Sequence, residues 1–214
     1  MVALELNKLR TALPSGVELV AVSKFHPVER LMEAYDAGQR IFAESRPQEL
    51  AAKVPQMPSD VSWHFIGHLQ TNKLKLVLPY VDLVQSVDSM HLLDAISAWG
   101  ILNGKLVDVL LELHLGAEET KQGFTEEEIL SIASAAGVRI RGLMGMATNT
   151  DDMAVVEKDF CRIEALFQRI RSEHPEQTAF DQLSIGMSAD WPVAVRHGAT
   201  MVRIGTDIFG PREY

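Results

Sequence analysis

Two residue patterns alternate along this chain about eight times: a short apolar, β-branched run, then a stretch with apolar residues three and four positions apart. The apolar runs lie at 17–24, 40–45, 62–67, 83–87, 106–115, 140–147, 182–187 and 201–205. They do not alternate strictly with polar residues, which is typical of strands covered on both faces in a parallel sheet. Because the connecting loops are short, we predict one α/β domain, residues 1–214, folded as a (β/α)8 TIM barrel.

An open, flavodoxin-like sheet is the alternative that the same alternation allows. A dinucleotide-binding fold is not supported, because no G-x-G-x-x-G follows the first strand. The two remaining architectures differ in whether the first and last strands pair with each other.

Apolar spacing and capping residues mark the helices. Residues 2–12 predict an extra N-terminal helix, whose apolar side carries Leu4, Leu6, Leu9 and Leu13. Thr125 and Glu128 predict a capping box, and Gly137 is the expected end of that helix. The longest helix has a stripe that we expect to be buried: Met153, Val156, Phe160, Ile163, Phe167 and Ile170.

Composition excludes several classes of function. The formal net charge of −9 argues against a general electrostatic grip on nucleic acid or an anionic membrane. Cys161 is the only cysteine, which excludes an internal disulfide and a thiolate zinc site and favours a reducing cytoplasm. The first residues do not resemble a signal peptide, and no stretch approaches the ~18 apolar residues of a membrane span. We therefore expect a cytoplasmic protein.

Lys24 ends the first apolar run and is a candidate nucleophile. In a parallel barrel the carboxyl ends of the strands face the active site. An apolar setting disfavours the charged form of a lysine, and the neutral amine can then form a Schiff base with a carbonyl. The alternative is a lysine that extends its charged end from the strand tip into solvent.

The last two strands end in residues suited to binding phosphate. Their loops read Ser184-Ile-Gly-Met-Ser188 and Arg203-Ile-Gly-Thr206, and barrels often hold phosphate after strands seven and eight. Ordinary turn chemistry is the other interpretation. A lysine amine on one side of the site and a phosphate-binding loop on the other indicate a phosphorylated carbonyl compound as the ligand. Pyridoxal 5′-phosphate (PLP) fits both the lysine and the loop. An aldolase-like barrel that acts on a sugar phosphate is a further possibility.

Several motifs in order resemble the YggS/PROSC family of pyridoxal phosphate homeostasis proteins. They are Ala21-Val-Ser-Lys24, Trp63-His-Phe-Ile-Gly-His-Leu-Gln-Thr-Asn-Lys73, Lys121-Gln-Gly-Phe124, Leu183-Ser-Ile-Gly-Met-Ser-Ala-Asp190, and Val202-Arg-Ile-Gly-Thr-Asp-Ile-Phe-Gly210 with Arg212 and Tyr214. The resemblance implies a barrel like the alanine racemase N-terminal domain, with PLP bound covalently to Lys24. It also implies a carrier or regulator of vitamin B6 and amino-acid pools without an established catalytic activity.

The resemblance also assigns roles by position. Ser188 and the amides of Gly205 and Thr206 would hold the phosphate, with Ser184 as a further candidate, and Arg203 would face the pyridine nitrogen. Arginine only donates hydrogen bonds, so it would keep that nitrogen unprotonated and make the ring a poorer electron sink.

This chain departs from the family pattern at two positions. Ser45 stands where relatives commonly carry an asparagine, so the cofactor contact assigned there depends on a shorter side chain. His114 also replaces a common asparagine. We expect His114, His64 and His68 to be structural and predict no metal site, and Lys121 is either solvated or closes over the cavity.

The resemblance favours a binding protein over an enzyme. Two-base racemisation needs an acid/base group on each face of the imine, and in alanine racemase one comes from a C-terminal β-domain of the partner subunit. Since this chain ends at Tyr214, a racemase-like enzyme is the alternative rather than the expectation. The expected partners are PLP and PLP-dependent apo-enzymes, and the expected state is a monomer.

Overall fold

Eight parallel strands close into a barrel in a computed structural model that describes residues 1–116, 122–132 and 135–211. The strands follow one another in chain order, and β1 (Glu18–Val22) pairs with β8 (Met201–Ile204) to close the ring. The others are β2 Ile41–Glu44, β3 Ser62–Phe65, β4 Leu83–Val87, β5 Val107–Leu113, β6 Val138–Gly145 and β7 Gln182–Ser184. The predicted barrel is confirmed, and the open sheet is excluded because its first and last strands would not pair.

Helices cover the outside of the barrel, and an additional one precedes β1 as predicted. Their bounds are α1 Val2–Ala12, α2 Val28–Asp36, α3 Pro47–Lys53, α4 Leu74–Val77, α5 Met90–Asn103, α6 Glu126–Ser131, α7 Met153–Glu173, α8 Trp191–Arg196 and α9 Thr206–Phe209. The Thr125–Glu128 capping box is present at the start of α6. Across the described ranges, no helix is long and apolar enough to span a membrane.

The main core lies between the strands and the helices. Large fully buried side chains fill this layer, among them Phe42, Phe65, Phe160 and Phe167. Burying such side chains stabilises the fold by about 1.5–3 kcal/mol each. A second, smaller apolar cluster fills the barrel interior: Val20, Ala43, Leu83, Leu110, Met144 and Met201. The barrel is therefore packed inside, and a ligand can enter only at an end.

Three predicted details of the helices are wrong. Leu4 is 59% exposed because Val2, Leu6 and Leu9 form the buried face of α1. Met153 is 42% exposed because it is the first residue of α7, and burial begins one turn later at Val156. The helix after the capping box ends at Ser131, since Ile132 is extended; Gly137, with φ 76°, belongs to the turn that leads into β6.

The first strand ends two residues earlier than predicted. It stops at Val22, so Lys24 lies in the loop between β1 and α2 rather than at the strand tip. The lysine is partly buried there. Its position is consequently set by the contacts of the loop, and those contacts define one wall of the candidate site.

Candidate functional site

A cavity of about 510 Å³ opens at the carboxyl ends of the strands. Five of the predicted site residues contribute to its wall: Lys24, Ser188, Arg203, Gly205 and Thr206. The remaining lining is mostly apolar: Val22, His26, Ile66, Met144, Met146, Asn149, Met187 and Ala189. Residues from β1, β8 and the loop after β7 therefore meet at one pocket, as the barrel topology predicts.

Two predicted site residues do not line this cavity. Ser184 is fully buried below it, where its hydroxyl donates to Gln85 Oε1 (2.7 Å) and accepts from Arg203 Nη1 (2.6 Å). Ser45 lies with its backbone against Gly67, so close that a Cβ on Gly67 would lie 2.1 Å from the Ser45 carbonyl oxygen. A direct ligand contact from Ser45 stays a prediction, and Ser184 is placed to orient Arg203.

The loop that carries Lys24 is tied to the neighbouring β2–α3 unit. The Ser23 carbonyl accepts from Lys53 Nζ (2.8 Å), and the Phe25 N–H donates to Glu49 Oε2 (3.0 Å). Phe25 has φ 67°, a left-handed conformation that costs free energy in a residue with a side chain. Bonds on both sides of Lys24 hold that conformation, so the loop presents the lysine to the cavity in one arrangement.

A buried ion pair supports this loop from behind. Glu44 is fully buried, and its Oε1 accepts from Lys53 Nζ (2.6 Å) and from the Ser23 hydroxyl (2.6 Å). Burial raises the pKa of Glu44, and the Lys53 charge opposes the rise only in part. Because the other oxygen, Oε2, has no hydrogen-bond partner within the described residues, the pair depends strongly on Lys53.

Asp190 and two glycines shape the loops after β7 and β8. Asp190 Oδ1 accepts from the Met187 N–H (2.6 Å), which fixes the turn that contains Ser188. Gly186 has φ 92°, and a Cβ there would lie 2.6 Å from the Ala194 Cβ. A Cβ on Gly205 would lie 3.1 Å from the Val22 carbonyl oxygen. A side chain at either position would therefore press on neighbouring protein atoms, so the absence of one lets the loops after β7 and β8 pack tightly beside the cavity.

Arg203 supplies a buried positive charge to the cavity. Its side chain donates to the Ser184 carbonyl (2.7 Å), the Ser184 hydroxyl and the Gly145 carbonyl (2.9 Å), all of them neutral acceptors. Burial lowers the pKa of Arg203 to about 10, so the guanidinium stays protonated near neutral pH. A buried cation whose hydrogen-bond acceptors among the described residues are all neutral favours an electron-rich ligand beside it.

Glu112 is a titratable group near this site that the sequence analysis missed. It lies on β5 and is 8% exposed. Burial, together with the charge of Asp88, raises the pKa of Glu112 to about 7, against the influence of Arg203. The signal that could have found it is a single acidic residue within the apolar run Val109-Leu-Leu-Glu-Leu113.

The three histidines that the sequence analysis predicts to be structural lie in different settings. His64 is buried in the barrel interior, where burial lowers its pKa to about 4. His68 is half-exposed, and its Nδ1 lies 2.8 Å from Asp88 Oδ2. The buried His114 Nδ1 has no hydrogen-bond partner in the described part of the chain. Lys121, Arg212 and Tyr214 lie outside the described residues.

Most of this chain matches known proteins. A model of the alanine racemase N-terminal domain matches residues 2–213. The pyridoxal phosphate homeostasis protein of Pasteurella multocida is 38% identical over 207 residues, which are 94% of this chain and 88% of that protein. This chain belongs to the pyridoxal phosphate homeostasis protein family. The resemblance seen in the sequence motifs is thereby confirmed.

Other members of this family extend the comparison. The Schizosaccharomyces pombe pyridoxal phosphate homeostasis protein is 36% identical over 204 residues, covering 92% of this chain and 85% of that protein. PipY from Synechococcus elongatus has been solved with PLP bound; it is 35% identical with a TM-score of 0.88, and the match covers 98% of this chain and 100% of PipY. These relatives match the chain over nearly its whole length.

A more distant structure resembles the chain in fold alone. Alanine racemase from Clostridium difficile has a TM-score of 0.82 at 15% identity, and the match covers 100% of this chain but 57% of the racemase. The barrel is therefore of the alanine racemase N-terminal type, as predicted.

Proposed function

We propose that this protein binds PLP, holds it as a Schiff base on Lys24, and serves intracellular PLP and vitamin B6 homeostasis as a carrier or regulator. One observation carries the proposal: Lys24, Arg203 and the Ser188 and Gly205–Thr206 loops share one cavity in a chain that is 35% identical to PLP-bound PipY. The names of the relatives support a homeostasis role rather than a catalytic one.

Each wall of the cavity suits one part of the cofactor. The amine of Lys24 is the group that can join covalently to an aldehyde. The hydroxyl of Ser188 and the backbone at Gly205 and Thr206 suit the phosphate. Arg203 suits the pyridine nitrogen, and the apolar lining suits the flat faces of the ring.

Arg203 also argues against strong catalysis. PLP, when bound, supplies an electron sink whose strength depends on protonation of its ring nitrogen. Arg203 is protonated at neutral pH and can only donate, so it keeps that nitrogen unprotonated and weakens the sink. A racemase-like enzyme is the alternative, because distant racemases share the fold.

Transfer to an apo-enzyme tests the carrier function. The protein loaded with PLP is mixed with a PLP-dependent apo-enzyme, and recovery of that enzyme's activity is followed beside the same concentration of free PLP. A carrier is expected to restore activity while holding the free PLP concentration low. A protein that interconverts amino-acid enantiomers and releases no cofactor would instead support the racemase alternative. Cell fractionation tests the proposed cytoplasmic location, and sedimentation tests the proposed monomer.

A further inference from the structure

A chain of polar side chains crosses the barrel interior and ends on Arg203. His64 Nδ1 lies 2.9 Å from Gln85 Nε2, and the Ser184 hydroxyl donates to Gln85 Oε1 (2.7 Å). The Ser184 hydroxyl in turn accepts from Arg203 Nη1. All four residues are at most 5% exposed, and they come from β3, β4, β7 and β8. Buried polar groups in such a chain are costly unless every partner is matched.

Met201 fixes the direction of the hydrogen bonds in this chain. Gln85 Nε2 lies 3.0 Å from the Met201 sulfur, and a thioether can only accept. The Gln85 amide nitrogen must therefore face Met201 and His64, which leaves the Gln85 oxygen toward Ser184. It follows that His64 Nδ1 is an acceptor, that Ser184 gives its single proton to Gln85, and that Ser184 can only accept from Arg203.

Hydrogen bonds within the protein use some of the N–H groups of the Arg203 guanidinium and leave the others available. Of its five N–H groups, both on Nη1 and one on Nη2 are bonded to Ser184 and Gly145. The Nε–H and the second Nη2–H have no protein acceptor within the described residues. Since Arg203 lines the cavity, these are the donors that a ligand can use.

We propose that Gln85 and His64 are positioning residues: acting through Ser184, they fix the Arg203 guanidinium so that its remaining N–H groups face the cofactor ring. The assignment of the ring to Arg203 rests on the proposed function. The hydrogen-bonded chain itself is a property of the protein without ligand, so the two can be tested separately.

Nitrogen NMR on the ligand-free protein tests the hydrogen bonds from His64 to Arg203. His64 is expected to be the neutral tautomer with the proton on Nε2, and the Arg203 guanidinium is expected to rotate slowly and give separate Nη signals. In Gln85→Met the His64 ring signals and the Arg203 Nη signals should both shift. Ser86→Ala is the matched control, since Ser86 is a buried neighbour on β4 that donates to the Gly67 carbonyl instead. A wild-type His64 protonated on Nδ1, or an Arg203 signal equally changed by Ser86→Ala, would overturn the proposal.

PLP titration tests the consequence for the ligand. Gln85→Met is expected to weaken PLP binding about tenfold, the typical effect of one lost hydrogen bond, and to shift the visible absorption maximum. Borohydride should still fix the cofactor to Lys24. Ser86→Ala, which leaves the bonds of Gln85 intact, is expected to retain the wild-type spectrum. If Gln85→Met does not fold, Ser184→Ala should show the same shift.

An unchanged spectrum and affinity in Gln85→Met, or an equal change in Ser86→Ala, would contradict the positioning role. Failure of the wild-type protein to take up PLP would instead remove the proposed function, and the NMR result on the ligand-free protein would still decide whether the chain orients Arg203.

Discussion

Lys53 is the residue on which the lysine loop most depends. Its Nζ bonds the Ser23 carbonyl and the carboxylates of Glu44 and Glu49, so it joins the backbone beside Lys24 to the acids of β2 and α3. Glu44 is fully buried and has no other cation within hydrogen-bond distance in the described residues. The geometry around the candidate nucleophile therefore rests on a buried ion pair.

Replacing Lys53 with methionine should destabilise the fold. Lys53→Met leaves Glu44 buried without a partner, and losing one member of such a pair costs about 3–5 kcal/mol. Urea unfolding at pH 7 measures the loss. Lys8→Met is the control, because Lys8 pairs with Glu5 on the surface, where the loss should stay below about 1 kcal/mol. Equal losses in both variants would show that the buried ion pair stabilises the fold no more than the surface pair does.

Glu112 makes the stability depend on pH. Its pKa in the folded protein is about 7 against an ordinary 4.5, so the folded state keeps a proton that the unfolded state has released. The stabilisation from this group is full below pH 4.5 and is lost as the pH rises through 7; it amounts to at most about 3 kcal/mol.

Glu112→Gln should therefore be more stable than the wild type at pH 8 and nearly equal to it at pH 5. Urea unfolding at the two pH values measures the difference. The exposed Glu173→Gln serves as control and should show no such pH dependence. A wild type that is the more stable of the two at pH 8 would mean that the attraction between Glu112 and Arg203 outweighs burial.

The turn between β7 and α8 acts as one element of the candidate phosphate site. Asp190 accepts from the Met187 N–H and is the N-cap residue of α8, and Ser188 lies between the two residues that this bond joins. Burial raises the pKa of Asp190, while the Met187 bond and the charge of Arg203 oppose the rise.

Asp190→Ala should weaken PLP binding about tenfold, because the Met187 N–H loses its acceptor and the turn around Ser188 relaxes. Asp190→Asn keeps an oxygen that can accept this bond and should bind nearly as the wild type does. Borohydride should fix PLP to Lys24 in both variants. Titration followed by absorbance provides the measurement, and an Asn variant as weak as the Ala variant would show that the negative charge, rather than the turn, matters.

The order and type of the strands and helices could be predicted from sequence because periodicity reports burial directly. Strand β4, Leu83–Val87, was predicted with its observed bounds. The ends of the helices were harder to predict: α6 ends at Ser131, although no glycine or proline marks that position. Leu4 and Met153 fit an apolar spacing but lie outside the packed face, which depends on how each helix seats on the barrel.

At the scale of the whole molecule, closure of the barrel is what brings the site together. Lys24 and Arg203 are 179 positions apart, yet Lys24 follows β1 and Arg203 lies in β8, and these two strands pair with each other. The expectation that the carboxyl ends of the strands converge on one site predicted five of the cavity residues. It could not predict Glu112 or the Gln85–Ser184 contact, because contacts across the barrel interior depend on the stagger of the strands, which the sequence pattern does not reveal.

The covalent role of Lys24 is tested most directly by visible absorption, recorded for the wild type and Lys24→Ala with added PLP, before and after borohydride reduction. We predict a yellow wild-type protein in which reduction fixes the cofactor to the peptide containing Lys24, and a variant that forms no such link. Lys8→Ala should behave as the wild type. A colourless wild type that takes up no PLP, or a label on another lysine, would contradict the account; the former would favour an aldolase-like barrel acting on a sugar phosphate.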